Sequence, residues 1–135
     1  MEIDHHLGLW GHSDADVLTH AIGDALLGAA GLGDLGRHFP DTDPAFKDVS
    51  SLRLLQRIME MVRERGFRVV NVDATVMAER PKLAPHMVHM AANLAPILGV
   101  PPAEMNLKAT TTEKMGFTGR EEGIAAMAVV LVEKV

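Results

Sequence analysis

The sequence predicts an α+β domain, a small mixed β-sheet with helices packed on one face. Three observations carry that expectation. Three stretches repeat apolar residues at helical spacing, three others are short and rich in β-branched or aliphatic residues, and glycine or proline stands at the boundaries between them. The chain has 135 residues, 47% of them hydrophobic, which is the commonest domain size and enough apolar material to bury a core. No repeat and no linker-like stretch divides it, so residues 1–135 are expected to form a single domain.

Ser13 or Asp14 reads as the N-cap of a first helix over Val17–Ala30, because a short side-chain oxygen there satisfies an unpaired amide of the opening turn. Leu18, Ile22, Ala25, Leu26 and Ala29 form its apolar stripe. Gly31-Leu32-Gly33 ends it, since glycine takes the left-handed C′ conformation readily. Asp34 to Asp48, rich in Asp, Pro and Gly, is expected as a loop. Ser50 or Ser51 caps a second helix that runs to about Arg65, with Leu52, Leu55, Ile58, Met59 and Val62 inward, and Gly66 stops it. Phe67–Ala78 is read as a strand, since Val69, Val70, Val72, Thr75 and Val76 favour an extended backbone. Pro81 and Pro85 bound a turn before a third helix, Pro85–Leu98, closed by Gly99. Met105–Thr112 and Ile124–Val132 are two more strands. The second is almost continuously apolar, as for a strand buried on both faces or packed in a subunit interface. The nine methionines read as core filler: Met59 falls on the apolar face of the second helix and Met61 does not.

Composition narrows the function. A net charge of −5 with no evident basic patch argues against nucleic acid as a partner. No stretch approaches the roughly 18 consecutive apolar residues of a membrane span, and the acidic, histidine-rich start does not resemble a signal peptide. The absence of cysteine excludes disulfides and thiolate metal sites and fits a reducing, cytoplasmic setting.

Chemistry concentrates in two segments. Lys108 to Arg120 holds Thr110, Thr111, Thr112, Glu113, two lysines, Arg120 and two glycines. Hydroxyls and amides there can donate to phosphate oxygens, and Glu113 can hold Mg²⁺ or Mn²⁺ against a diphosphate. The duller alternative is a polar turn after a strand. In Gly11 to His20 and the helix beyond, Asp16, His20 and Asp24 fall at steps of four and share one face. That pattern suits a metal-binding histidine with orienting carboxylates, or a solvated imidazole with no such role.

Together these segments carry a resemblance. His12 to His20, Gly33-Asp34-Leu35-Gly36, Phe39-Pro40-Asp41-Thr42-Asp43-Pro44, the Pro81-Lys82 turn, Ala109 to Lys114 and Gly116 to Arg120 occur in the order and near the spacing of the 2-C-methyl-D-erythritol 2,4-cyclodiphosphate synthases, the cyclising lyases of non-mevalonate isoprenoid biosynthesis. The chain resembles that family from about Glu2 to Val132. The resemblance implies a homotrimer with sheets around a central axis and active sites between subunits. It also implies cyclisation of 4-diphosphocytidyl-2-C-methyl-D-erythritol 2-phosphate with release of CMP, in the bacterial cytoplasm.

Residue roles follow from the same resemblance. His20 corresponds to a zinc ligand and Glu113 to the ligand of Mg²⁺ or Mn²⁺. His12 and Thr111 match the positions that stabilise the transition state, with Ser13 near the attacking phosphate. Asp34, Leu35 and Gly36 match the segment that holds the erythritol hydroxyls, and Phe39, Pro40, Asp41, Thr42 and Asp43 a flap over that pocket. Ala78, Glu79, Arg80, Pro81, Lys82, Leu83 and Ala84 match the cytidine-reading turn, with Lys82 near the phosphates. Thr110 and Thr112 flank Thr111 at the diphosphate, and Phe117 and Arg120 complete the substrate wall, where Arg120 also has the option of facing the trimer axis. Each has a plainer reading: Lys82 as a solvated turn lysine, Phe39 as a loop anchor, Asp41 and Asp43 as Asx-turn residues.

The resemblance departs at the front. The family opens with a strand bearing Asp-x-His, two of three zinc ligands, and this chain is expected to lack it. Asp4-His5-His6 spells a similar pattern but falls where the family has a turn, and Met1 falls where the family has a valine, which suggests a GTG codon read as a start. Two other functions stay open on the sequence: a catalytically impaired trimeric nucleotide-binding module, and a metal-dependent phosphohydrolase that releases linear phosphates.

Overall fold

The computed structural model describes residues 10–39, 50–77, 86–110 and 125–135, and of residues 10–15 the backbone alone. Its elements in chain order are α1 (Trp10–Ala29), α2 (Leu35–His38), α3 (Ser51–Glu64), β1 (Phe67–Met77), α4 (Met87–Leu98), β2 (Met105–Thr110) and β3 (Ala125–Lys134). The strands form one sheet in the order β2-β1-β3, with β1 and β2 parallel and β1 and β3 antiparallel. A parallel pair needs a long crossover, and α4 provides it. The mixed sheet and its helices agree with the α+β expectation.

Residues of β1 alternate between the faces. Val72, Ala74 and Val76 are buried under the helices, level with Val130, Ala128 and Ala126 of β3. Leu18, Ile22, Leu26 and Leu27 of α1, Leu55, Ile58, Met59 and Val62 of α3, and Met90, Leu94 and Leu98 of α4 meet them in one core. The opposite face of the sheet carries Asp73 and Thr75 of β1, Asn106 and Lys108 of β2, and Met127, Val129 and Leu131 of β3.

Several boundaries fall as the sequence requires. Ser50 caps α3, its side chain accepting from the Arg53 amide. The left-handed φ of Gly66 (89°) lets the chain reverse from α3 directly into β1. At the end of α1 the Gly31 amide donates to the Gly28 carbonyl (3.1 Å) and the Leu32 amide to the Leu27 carbonyl (2.8 Å), the paired bonds of a Schellman cap.

Other expectations are corrected. Helix α1 begins at Trp10, ahead of the expected cap at Ser13 or Asp14. Nothing between Gly11 and Asp16 breaks a helix, and Ser, Asp and His each cost only about 0.5 kcal/mol there relative to alanine. In α1 the inward stripe is Leu18, Ile22 and Leu26 with Leu27 and Ala30, while Ala29 is exposed. Helix α2 interrupts the expected loop after Asp34. Leu52 of α3 is 38% exposed while Ser51 is buried, because the Ser51 hydroxyl turns toward α1 and donates to Asp16 Oδ1 (2.6 Å). Helix α4 starts at Met87, not Pro85. Strand β3 continues to Lys134, beyond the expected Val132, since Phe67 and Arg68 of β1 pair with Lys134 and Glu133. Among the described residues β3 is covered on one face only: Met127, Val129 and Leu131 are 66%, 69% and 54% exposed.

Candidate active site

The direction of the helices determines which residues gather. Near the N-terminal ends of α1 and α3 the Ser51 hydroxyl meets Asp16. At their C-terminal ends Arg65 Nε donates to the Ala30 carbonyl (3.2 Å). The two helices therefore run the same way. Arg63 Nη2 donates to the Ile97 carbonyl (3.2 Å) and aligns the end of α4 with them. All three helices run opposite to β1, whose start follows Gly66.

Strand β1 thus finishes at the end of the sandwich toward which the three helix N-termini point. There Met77 lies beside Thr110, the last residue of β2, and Ala125, the first of β3. The described strand ends at Met77, Thr110 and Ala125 are therefore neighbours. Each helix N-terminus carries roughly half a positive charge, and with unpaired amides this end of the fold is suited to a polyanion.

Of the sequence-predicted residues, His20 is exposed on α1, and Asp34, Leu35 and Gly36 form the start of α2. Phe39 is half-buried, packed on the core and tilted against His38 with ring centroids 6.4 Å apart. Thr110 is exposed at the end of β2. His12 and Ser13 fall within α1, their side chains beyond the described atoms. Pro40, Asp41, Thr42, Asp43, Ala78, Glu79, Arg80, Pro81, Lys82, Leu83, Ala84, Thr111, Thr112, Glu113, Phe117 and Arg120 lie outside the described residues.

The carboxylates that flank His20 have partners that the sequence did not reveal. Asp16 accepts from Ser51, and Asp24 Oδ1 accepts from the Leu35 amide (3.1 Å). Asp34 Oδ1 accepts from the Arg37 amide (2.9 Å) and caps the same turn of helix. His38 Nε2 donates to the Leu32 carbonyl (2.5 Å), which fixes its tautomer because a carbonyl only accepts. The step-of-four spacing found the stripe; its partners come from sequence-distant segments.

Lys108, which the sequence grouped with the anion-binding segment, is engaged on the sheet. Its ammonium lies on the open face of the sheet, 2.9 Å from Asp73 Oδ1 and 3.2 Å from Oδ2. Asn106 Nδ2 donates to the same carboxylate (3.0 Å). The hydrogen bond from Lys108, then that from Asn106, hold the Asp73 carboxyl below the usual aspartate range.

Among the described residues no three His, Asp or Glu side chains converge to hold a metal ion. A catalytic zinc takes three protein ligands with an open position, and among the described residues the resemblance assigns that role to His20. They do not fit a complete zinc site, and no step below is routed through one.

The comparisons agree with the pattern of motifs. The family profile described as "YgbB family" matches residues 1–133. The chain is 62% identical over 132 residues to a 2-C-methyl-D-erythritol 2,4-cyclodiphosphate synthase of Ralstonia nicotianae (strain ATCC BAA-1114 / GMI1000), covering 98% of this chain and 79% of that protein. It is 58% identical over 132 residues to the enzyme of the same name from Lysinibacillus sphaericus (strain C3-41), covering 98% of this chain and 84% of that one. A solved structure of 2C-methyl-D-erythritol-2,4-cyclodiphosphate synthase, in its CDP-bound form, superposes with a TM-score of 0.78 at 35% identity, over 85% of this chain and 74% of that one.

Proposed function

This chain belongs to the YgbB family, and we infer that it converts 4-diphosphocytidyl-2-C-methyl-D-erythritol 2-phosphate to 2-C-methyl-D-erythritol 2,4-cyclodiphosphate with release of CMP. The observation that carries this reading is identity of 58–62% to synthases of that name across 98% of the chain. The reaction is a phosphorus-oxygen lyase step in isoprenoid biosynthesis.

The reaction is intramolecular. An oxygen of the 2-phosphate attacks the β-phosphorus, the bond from that phosphorus to the bridging oxygen breaks, and CMP leaves with the electron pair. No side-chain nucleophile is needed, so the protein's work is to bend the substrate into line and offset charge. The converging N-termini of α1, α3 and α4 favour phosphate at this end of the sandwich. In our reading His12 and Thr111 stabilise the transition state, Ser13 donates to the attacking phosphate, and Asp34 and Gly36 hold the sugar hydroxyls. The 78–84 segment reads cytidine, Phe39 to Asp43 cover the sugar, and Phe117 and Arg120 close the wall. His20 would supply one ligand to a zinc ion and Glu113 one to Mg²⁺ or Mn²⁺. Such ions, when bound, would neutralise the diphosphate.

We read residues 1–135 as one synthase domain that works in the cytoplasm as a homotrimer, without nucleic acid or membrane as partners. No described helix is long and apolar enough to cross a membrane. The apolar outer face of β3 supports the assembly, since a monomer rarely leaves such a patch wet. Phosphorus NMR of the products tests the reaction. Cyclic diphosphate formed in step with CMP is expected; linear phosphates would turn the reading to a phosphohydrolase, and binding of CDP without turnover to a nucleotide-binding module.

A further inference from the structure

We propose that Asp24 is a positioning residue for the sugar end of the substrate, acting through the backbone of Leu35 on the carboxylate of Asp34. The proposal rests on the cyclisation reading and deepens it.

The argument is geometric. Asp24 Oδ1 accepts from the Leu35 amide at 3.1 Å, across eleven residues of sequence. That amide belongs to the peptide unit joining Asp34 to Leu35, which is planar and rigid. Holding its N–H therefore holds the Asp34 carbonyl and the extended Asp34 ψ of 176°, and with them the direction in which Cα of Asp34 presents its side chain. One oxygen of Asp34 is committed to the Arg37 amide, which leaves the other to accept from a sugar hydroxyl. His38 pins the far flank of the turn through the Leu32 carbonyl. The first amides of a helix have no partner within it, and a single turn such as α2 does not hold its shape alone. The external acceptor from α1, together with the packing of Leu35 on the core, therefore helps set where this turn sits. His20 stands one helical turn before Asp24 on the same face, so one rigid face of α1 carries the candidate metal ligand and locates the sugar-binding turn.

The test compares two probes on the intact chain by isothermal titration: CDP, which lacks the methylerythritol moiety, and the cyclodiphosphate product, which carries it and is not consumed. For Asp24→Ala the dissociation constant of the cyclodiphosphate should rise roughly fivefold to tenfold, as expected for an exposed charge-assisted hydrogen bond. Affinity for CDP should stay within about twofold, and bound zinc per chain should not change. Asp24→Asn keeps an acceptor oxygen and should rescue most of the loss, which a metal-binding or purely electrostatic role would not allow. Asp24→Glu, which retains charge but shifts the acceptor by one methylene, should show the same selective loss and serves if Asp24→Ala does not fold. An unchanged cyclodiphosphate affinity in Asp24→Ala, an equal loss for CDP, a loss of zinc, or an Asp24→Asn as impaired as Asp24→Ala would each overturn the proposal. If the unsubstituted chain bound neither probe, the cyclisation reading itself would fall.

Discussion

Replacing Gly23 by alanine should destabilise the chain by about 1 kcal/mol even though alanine is the better helix former. Gly23 lies on the buried face of α1, where a Cβ would stand 2.8 Å from Ile58 Cδ1 of α3, with Leu55 Cδ1 at 3.9 Å and Leu35 Cδ2 at 4.0 Å. Carbon atoms are at ease near about 3.5–4.0 Å, so Ile58 would have to retreat by about 1 Å. At 1% exposure it has no solvent to move into. Overpacking of that kind costs roughly 2 kcal/mol, against a gain of about 1 kcal/mol in helix propensity. The cause can be isolated by removing the atom that is struck. Ile58→Val deletes Cδ1 at a cost of about 1 kcal/mol, and in that background Gly23→Ala should stabilise by about 1 kcal/mol. The cycle then carries a coupling of about 2 kcal/mol. Urea unfolding followed by circular dichroism at fixed protein concentration reads all four species. Stabilisation by Gly23→Ala alone, or additivity within about 0.5 kcal/mol, would refute the reasoning.

Ser50→Ala removes the acceptor for the Arg53 amide at 3.3 Å and should cost about 1 kcal/mol, read as a fall of about 3 °C in thermal midpoint. Asp73 has a depressed carboxyl in the folded chain. Its contribution is present above the ordinary aspartate value, about 3.9, and is lost as pH falls through the depressed one. Urea midpoints against pH should therefore fall less steeply below about pH 4 in Asp73→Asn than in the unsubstituted chain. Leu131→Glu places a charge in the open apolar face of β3, and sedimentation velocity should show the proposed trimer replaced by smaller species while circular dichroism is retained.

What was legible in the sequence was local. The Ser50 cap, the Gly66 stop, the Gly99 stop and the strand at Phe67 are each set by residues within a turn or two of themselves, and they fall where expected. The motifs were legible for the same reason, because an Asp-Leu-Gly or Thr-Thr-Thr-Glu string keeps its chemistry wherever it is folded. Helix α2 was not, since a four-residue turn has no periodicity to detect and takes part of its support from Asp24, eleven positions away. The start of α1 was misplaced because Ser13 and Asp14 look the same to a pattern whether they cap a helix or lie inside one. The meeting of Met77, Thr110 and Ala125 at one end of the sheet follows from the strand order β2-β1-β3, which no single segment encodes. The outward direction of Lys108 was available: Met105 is buried and Leu107 and Ala109 half-buried on alternate positions, which leaves Lys108 on the other face.

The C-terminal residue is tied down at the far end of the sandwich, where the Val135 amide donates to the Gly66 carbonyl (2.8 Å). Strand β1 spans Phe67–Met77 between that tie and the rim proposed to meet the nucleotide, a separation of about 33 Å at ~3.3 Å per residue. A dye coupled there would ride on a well-braced part of the molecule, clear of incoming ligand. Energy transfer between donor-labelled and acceptor-labelled protomers would then report subunit exchange of the proposed assembly in real time during turnover.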